Sequence, residues 1–499
     1  MGTVILAIDQ GTTGSTVALM DTSGVVIASA SHEFPQLFPQ PGWVEHDPES
    51  IWQSVLKGVD KVFNESAVSP ADVITIGITN QRETAILWDR ETGEALHNAI
   101  VWQCRRTTDV CQQLKEAGCE SMVRERAGLV LDPYFSASKY RWLIDHAEVT
   151  EGDIDSGRVL AGTVDSYLLW RLTGGAVHAT DVSNAARTSL MNLETLAWDS
   201  SLCDLFGVPM RILPTIMPSS TRFGVTGSVP GLPDGIPVSG IAGDQQAALF
   251  GQACFDAGDA KCTFGTGSFI LMNTGELPVS SDSGLLTTVA WQLDGSRPSY
   301  ALEGGAFVCG AAVQWLRDQL GIINAAHEIE ALAASVPDAG GVEFVPALTG
   351  LGAPHWDPDA RGLLSGLTRG SGRGEIARAT LDAMALQNAD ILKVMERESG
   401  QSMQSLRVDG GASANNLLMQ LQANYLDREI VRPELIETTV AGACFLAGLA
   451  EGVWSGLDDI RAAWRVDRKF DVDLDAEDRK LRFASWNAAI AKTRYNAAS

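Results

Sequence analysis

The chain opens on an apolar run, Val4-Ile-Leu-Ala-Ile8, which breaks at Asp9-Gln-Gly-Thr-Thr-Gly-Ser15 and resumes as Thr16-Val-Ala-Leu-Met20. Two apolar runs of strand length around a small, hydroxyl-rich turn predict a β-hairpin. The same pattern returns at Lys261-Cys-Thr-Phe-Gly-Thr-Gly-Ser-Phe-Ile-Leu-Met-Asn273, so one module is used twice. Between the hairpins, residues 73–78 and 85–88 read as strands, while 50–63, 105–117 and 139–146 carry helical spacing of apolar positions. Further on, helices are predicted over 310–320, 375–398 and 417–426, and a strand over 406–408 that runs into Asp409-Gly-Gly411. Strands alternating with helices define an α/β protein.

Length and composition narrow the class. A chain of 499 residues exceeds what one hydrophobic core supports, so at least two domains are expected, with the boundary inside 246–258 and the domains over 1–250 and 251–499. Hydrophobic residues at 45% and charged residues at 20% exclude wholesale disorder, collagen and coiled coil. The formal charge of −25 argues against nucleic acid or anionic membrane as partner, since both demand a basic face. A small anion would have to be held locally, by backbone N–H groups, a metal or a few arginines. The 8 cysteines form no CxxC pair and read as buried small residues in a reducing compartment. The most apolar run, 440–450, is too short to span a bilayer, and a cytoplasmic protein is expected.

Several segments carry candidate chemistry. In Asp9-Gln-Gly-Thr-Thr13, glycine lets backbone N–H groups approach a phosphate, the threonines add donors, and the aspartate suits hydrated Mg²⁺; the same residues also suit an ordinary hairpin turn. Gly265-Thr-Gly267 repeats the arrangement, and two such turns facing one another would grip both ends of a triphosphate. Gly410-Gly411 before a helix suits a nucleotide, or equally a tight turn with an Asn cap. Neither a Walker A nor a GxGxxG fingerprint is present. Asp244 follows an apolar strand and is a candidate general base or a helix-capping aspartate. Arg82-Glu83 suits a polyol or a structural ion pair, and Trp102 and Tyr134 suit a core as well as a site.

At these residues the chain resembles the FGGY carbohydrate kinases. The resemblance runs from Ile5 to about Trp454 and rests on eight segments in register: Asp9-Gln-Gly-Thr-Thr13, Thr79-Asn-Gln-Arg-Glu-Thr84, Ala99-Ile-Val-Trp-Gln-Cys-Arg-Arg-Thr107, Leu131-Asp-Pro-Tyr-Phe-Ser136, Gly162-Thr-Val-Asp165, Ile241-Ala-Gly-Asp-Gln-Gln-Ala-Ala248, Leu348-Thr-Gly-Leu-Gly-Ala-Pro354 and Asp409-Gly-Gly411. It implies two ribonuclease-H-like domains of the actin/Hsp70/hexokinase type around a central cleft. It also implies ATP-dependent phosphorylation of glycerol, with ATP and Mg²⁺ as cofactors and a homodimer or homotetramer as the assembly. Carried over by position, Arg82, Glu83, Tyr134, Asp244 and Gln245 would bind the hydroxyls of glycerol, and Trp102 and Phe269 would pack on its carbon edge. Asp244 would be the base. Thr12, Thr13 and Gly14 would meet the phosphates, Asp9 and Asp244 the Mg²⁺, and Thr266, Gly310, Gln314, Gly411 and Asn415 the ADP.

Two of the chain's departures from the family pattern bear on nucleotide affinity and on the bisphosphate effector. Gly14-Ser15-Thr16 stands where many members carry Ser-Ser-Arg, so weakened nucleotide affinity is expected. The stretch 226–238 lacks the Gly-Thr-Arg that binds fructose 1,6-bisphosphate in some relatives, so insensitivity to that effector is expected. The competing readings are a kinase of the same family for a pentulose, a tetritol or gluconate, and a non-catalytic ATPase-fold protein that acts by partner binding.

Overall fold

The computed structural model describes residues 2–357 and 359–495. In the first lobe, β1 (Val4–Gln10), β2 (Gly14–Asp21) and β3 (Val26–Glu33) form an antiparallel meander. β4 (Val73–Asn80), β5 (Ser220–Val225) and β6 (Pro237–Gly243) extend it to a six-stranded sheet in the order β5-β6-β4-β1-β2-β3, with β1, β4 and β6 mutually parallel. In the second lobe, β7 (Ala260–Phe264), β8 (Ser268–Gly275), β9 (Leu286–Trp291) and β10 (Ser299–Ala306) are followed by β11 (Ser405–Asp409), β12 (Glu429–Pro433) and β13 (Val466–Phe470). Their order is β9-β10-β8-β7-β11-β12-β13.

Both sheets therefore share one kernel, an antiparallel meander followed by two parallel strands: β3-β2-β1-β4-β6 and β10-β8-β7-β11-β12. The repeated hairpin in the sequence is the first half of that kernel. β1 shows why its run is apolar throughout. Val4, Leu6 and Ile8 join one buried cluster, and Ile5 and Ala7 join another on the opposite face, as a strand covered on both sides requires.

Seven helices place the site. α1 (Pro48–Glu65) covers one face of the first sheet; it starts two residues before the expected position because Asp47 caps the N–H groups of Glu49 and Ser50 and Pro48 occupies the first turn. α2 (Ser136–His146) begins three residues ahead of the expected 139, and the hydroxyl of Ser136 donates to the Glu83 carbonyl at 3.1 Å. α3 (Asp244–Gly251), α4 (Gly310–Asp318), α5 (Arg373–Ser399), α6 (Asn416–Leu426) and α7 (Thr438–Ala450) follow. The helix expected over 105–117 is confined to Thr108–Glu116.

α7 is the most apolar run of the sequence and is buried from Val440 to Gly448, so its hydrophobicity belongs to the core. Among the described residues no helix is long and apolar enough to cross a membrane. Although it follows the second lobe's strands in the chain, α7 packs on β1, β4 and β6 of the first lobe and against α3. It is seated through glycines. A Cβ at Gly77 would lie 2.2 Å from the carbonyl oxygen of Ala443, one at Gly240 2.4 Å from the nitrogen of Ala447, one at Gly251 2.0 Å from the carbonyl oxygen of Thr438, and one at Gly442 1.9 Å from the carbonyl oxygen of Ala247. Backbone meets backbone at each point, which only glycine permits.

Candidate active site

The parallel strands of both lobes end in chemically capable residues: β1 at Asp9, β4 before Arg82 and Glu83, β6 before Asp244, and β11 at Asp409. Carboxyl ends of parallel strands are where α/β proteins bind ligands.

The densest group is built around Arg82, in the turn after β4. Its Nη1 and Nη2 donate to the two carboxylate oxygens of Glu303 at 2.6 and 2.8 Å, a bidentate pair between the lobes, since Glu303 lies on β10. Nε lies 3.2 Å from Asp244 Oδ1 and 3.8 Å from Glu83 Oε1, Nη1 donates to Gln246 Oε1 at 3.2 Å, and Nη2 to the Tyr134 hydroxyl at 3.5 Å. Arg187, fully buried, donates to Glu83 at 2.7 Å and to Glu303 at 3.1 Å, with its guanidinium near the rings of Tyr134 and Phe135. Glu83 sits at φ 63°, a backbone state uncommon outside glycine and one that marks a constrained position. Lys139 of α2 supports the floor by donating to the carbonyls of Glu83 at 3.3 Å and Phe135 at 3.1 Å, and to that of Tyr134.

Electrostatics separates the two glutamates. Burial pushes the Glu303 carboxyl up, but the charges of Arg187 and Arg82 overrule it and hold it at about 2. Burial wins at Glu83, which takes a single hydrogen bond from Arg187 and is raised. Burial also opposes the charge of Arg82, and Glu303 and Glu83 more than compensate, keeping it cationic. Two cations and two carboxylates thus balance beside Asp244, whose side chain is 32% exposed at the start of α3 and accepts from the Gln245 N–H at 2.7 Å through the same Oδ1.

The structure brings Arg82, Glu83, Tyr134 and Asp244 together and sets the Trp102 ring edge-on to Tyr134, centroids 5.7 Å apart. Trp102 Nε1 donates to Thr12 Oγ1 at 3.0 Å, which joins this group to the first glycine turn. Gln245 turns towards the second lobe, where its Oε1 accepts from the buried Lys261 Nζ, and Lys261 also donates to Thr263 at 2.8 Å. Phe269, half-buried on β8, lies beside Gly305 of β10.

The first glycine turn is tight: the Thr13 carbonyl accepts from the Phe34 N–H at 3.3 Å, and a Cβ at Gly14 would come within 2.8 Å of the His32 carbonyl oxygen. Its counterpart receives the start of α4. Gly310 N donates to the Gly265 carbonyl at 2.9 Å, and Cys309 N and Ala311 N donate to that of Thr266 at 2.9 and 3.0 Å. Gln314 stands exposed one turn further along α4. At the end of β11, Gly410 has φ +83° and Gly411 has open space beside it, while Asn415 caps α6 by accepting from Leu418 N at 2.9 Å. The capping reading of Asn415 therefore holds for its Oδ1.

Asp9 tests the fit of a divalent cation. Its Oδ2 accepts from Thr439 Oγ1 at 2.7 Å, and burial, with the charges of Asp244 and Glu437 adding to it, pushes the carboxyl up to about 7 against that hydrogen bond. A carboxylate in such a field is held in its charged form by a cation. Among the described residues no cluster of three or more His, Cys, Asp or Glu makes a complete ligand set. Mg²⁺ does not require one, since it keeps several waters and takes one or two carboxylates with substrate phosphates. Asp9 with Asp244 fits that demand.

Sequence reasoning missed Glu303, Arg187, Lys139, Lys261 and Gln246. Of the four charged groups, only Glu303 is a lone charge in an apolar stretch, Tyr300-Ala-Leu-Glu-Gly-Gly305; Lys139 and Lys261 have Arg141 and Asp259 two residues away and Arg187 lies among Asn184, Thr188 and Ser189, so their surroundings carry no such contrast.

A doubled kernel of this topology, with carboxylates at the strand ends facing a cleft between two lobes, defines the actin- and hexokinase-like class. The N-terminal domain of the FGGY family of carbohydrate kinases matches residues 4–251 and the C-terminal domain matches residues 260–451, and the chain belongs to that family. It is 56% identical over 492 residues to the glycerol kinase of Bdellovibrio bacteriovorus, covering 99% of each chain. It is 50% identical over 490 residues to glycerol kinase 2 of Thermotoga maritima, covering 98% of each. Among solved structures, the glycerol kinase of Plasmodium falciparum with ADP superimposes with a TM-score of 0.93 at 37% identity, over 99% of this chain and 98% of the other. The gluconate kinase of Lactobacillus acidophilus, at 23% identity and a TM-score of 0.88 over 100% and 99%, shares the fold.

Proposed function

We propose that the chain transfers the γ-phosphoryl group of ATP to glycerol, giving sn-glycerol 3-phosphate and ADP. The observation that carries this reading is the buried Arg82–Glu83–Tyr134 group converging on a part-exposed Asp244, in a chain whose full-length relatives are named glycerol kinase. A polyol offers only hydroxyls. Charged, fully buried partners reject a ligand that lacks one of them, because a desolvated group is then left unpaired.

Asp244 acts as general base. Its Oδ1 is occupied by Arg82 Nε and the Gln245 N–H, so the second oxygen accepts the proton of the attacking hydroxyl. Arg82, Glu83, Tyr134 and Gln245 orient the polyol, and Trp102 and Phe269 line its carbon edge. Thr12, Thr13 and Gly14 meet the phosphates, and Thr266, Gly310, Gln314, Gly411 and Asn415 hold the nucleotide. Asp9 and Asp244 would hold Mg²⁺, which when bound neutralises phosphate charge. Closure of the lobes excludes water, the competing acceptor.

The lobes divide at residues 1–250 and 251–499, with α7 returning to the first. The protein is cytoplasmic and assembles as a homodimer or homotetramer. It is insensitive to fructose 1,6-bisphosphate: the segment 226–238 contains no Lys or Arg, and what it presents to solvent is the exposed carboxyl of Asp234, which accepts from Ser228 N at 2.7 Å.

The test is ADP release with and without glycerol. A large glycerol-dependent rate is expected, and Asp244→Asn should lower it about 10²- to 10⁴-fold. Equal rates with and without glycerol would remove the kinase reading, and a fully active Asp244→Asn enzyme would remove the assigned base.

A further inference from the structure

We propose that Thr438 and Thr439 form a two-residue clip that sets the spacing between the phosphate-side carboxylate of the first lobe and the nucleotide loop of the second. The inference rests on the kinase reading above. Thr439 Oγ1 donates to Asp9 Oδ2 at 2.7 Å, and Thr438 Oγ1 donates to Asp409 Oδ2 at 2.6 Å. Neighbouring residues in the first turn of α7 thus grip the carboxylates at the ends of β1 and β11, one in each sheet. Gln252, just beyond α3, donates to the same Asp409 oxygen at 2.9 Å.

What gives the clip mechanical meaning is the stiffness on either side. Behind it, α7 rests on the first sheet and on α3 through the glycine seats at Gly77, Gly240, Gly251 and Gly442, which leave no space for sliding. In front, Asp409 leads directly into Gly410, where a Cβ would lie 2.6 Å from the Phe264 carbonyl oxygen, so a shift of Asp409 passes straight into the Gly410-Gly411 loop. Neither threonine is placed against substrate. Both are positioning residues, acting through the aspartates they hold.

Each bond is short and joins a threonine hydroxyl to a buried or part-buried aspartate, so losing it should cost about tenfold in the affinity that depends on it. Calorimetric titration of the full-length protein with ADP, with and without Mg²⁺, separates the two arms. Thr438→Val should weaken ADP binding about tenfold under both conditions, because the nucleotide loop loses its anchor. Thr439→Val should weaken it about tenfold only when Mg²⁺ is present, because only the Asp9 side is released. Serine at either position keeps the hydroxyl and should bind within about twofold of wild type. Valine variants that bind ADP as wild type does in both conditions, or serine variants as impaired as the valines, would overturn the clip. Should the valine variants not fold, Gln252→Leu removes the second donor to Asp409 and should weaken ADP about threefold in both conditions; unchanged affinity there also overturns it. A wild-type protein that binds no ADP would instead sink the kinase reading, and the clip with it.

Discussion

Glu303 shows how much one side chain can carry when it is buried and fully paired. At 2% exposure it takes two hydrogen bonds from Arg82 and one from Arg187. Its carboxyl stands at about 2 in the folded protein against the ordinary 4.5, so its contribution is complete above 4.5 and is lost as pH falls from there to about 2. That difference corresponds to about 3 kcal/mol. Glu303→Gln should therefore lower stability by about 3–5 kcal/mol at neutral pH, measured by urea unfolding, and should remove this component of acid sensitivity. A variant whose stability falls below pH 4.5 as steeply as wild type would contradict the assignment. Thr16 is the opposite case, a residue whose neighbourhood asks for more than it supplies. It lies across from Asp9 in the β1–β2 register and its hydroxyl meets that of Ser31, at 2.8 Å. Thr16→Arg would add a cation beside the phosphate turn and should lower the Michaelis constant for ATP by up to about fivefold; an unchanged constant would refute the expected shortfall. Arg82, Glu83, Tyr134 and Asp244 were legible in the sequence because each belongs to a recognisable segment. Glu303 and Arg187 were not, since a single charge has no period and its partners lie 221 and 104 residues away.

Among the elements, the hairpins were read correctly because β1 and β8 are short apolar runs bounded by glycine, a local pattern with a local cause. α1 was longer at both ends than the apolar spacing implied, since Asp47 and Pro48 start the helix by capping rather than by hydrophobicity. α7 was legible as apolar but not as a crossing helix; which sheet it covers is decided by glycines on β4, β6 and α3, far away in the chain. Gly442→Ala tests that seat directly. Its Cβ would fall 1.9 Å from a main-chain oxygen that no side-chain rotation relieves. A loss of about 1–3 kcal/mol or more in thermal unfolding is expected, with weaker ADP binding as the first turn of α7 shifts; a variant as stable as wild type would show that the seat has slack.

Across the whole molecule, the charge of −25 and the anionic co-substrate are reconciled by placement. Arg82 and Arg187 are buried in the wall of the cleft against Glu83 and Glu303, with Lys139 and Lys261 buried beside them, so the excess acid is not concentrated at that wall. Composition alone argues against nucleic acid and anionic membrane as partners but is silent on this arrangement, because net charge is a sum without positions.

The path of α7 also governs timing. Synthesis delivers Asp9 at the outset and Thr439 430 residues later. Throughout that interval the face of the first sheet formed by Ile5, Ala7, Ala18 and Met20 awaits the helix that buries it. The lobe that leaves the ribosome first therefore stays unfinished until most of the second has been made, and the nascent chain carries an open apolar surface through nearly all of its translation, the condition under which chaperones are needed and aggregation competes.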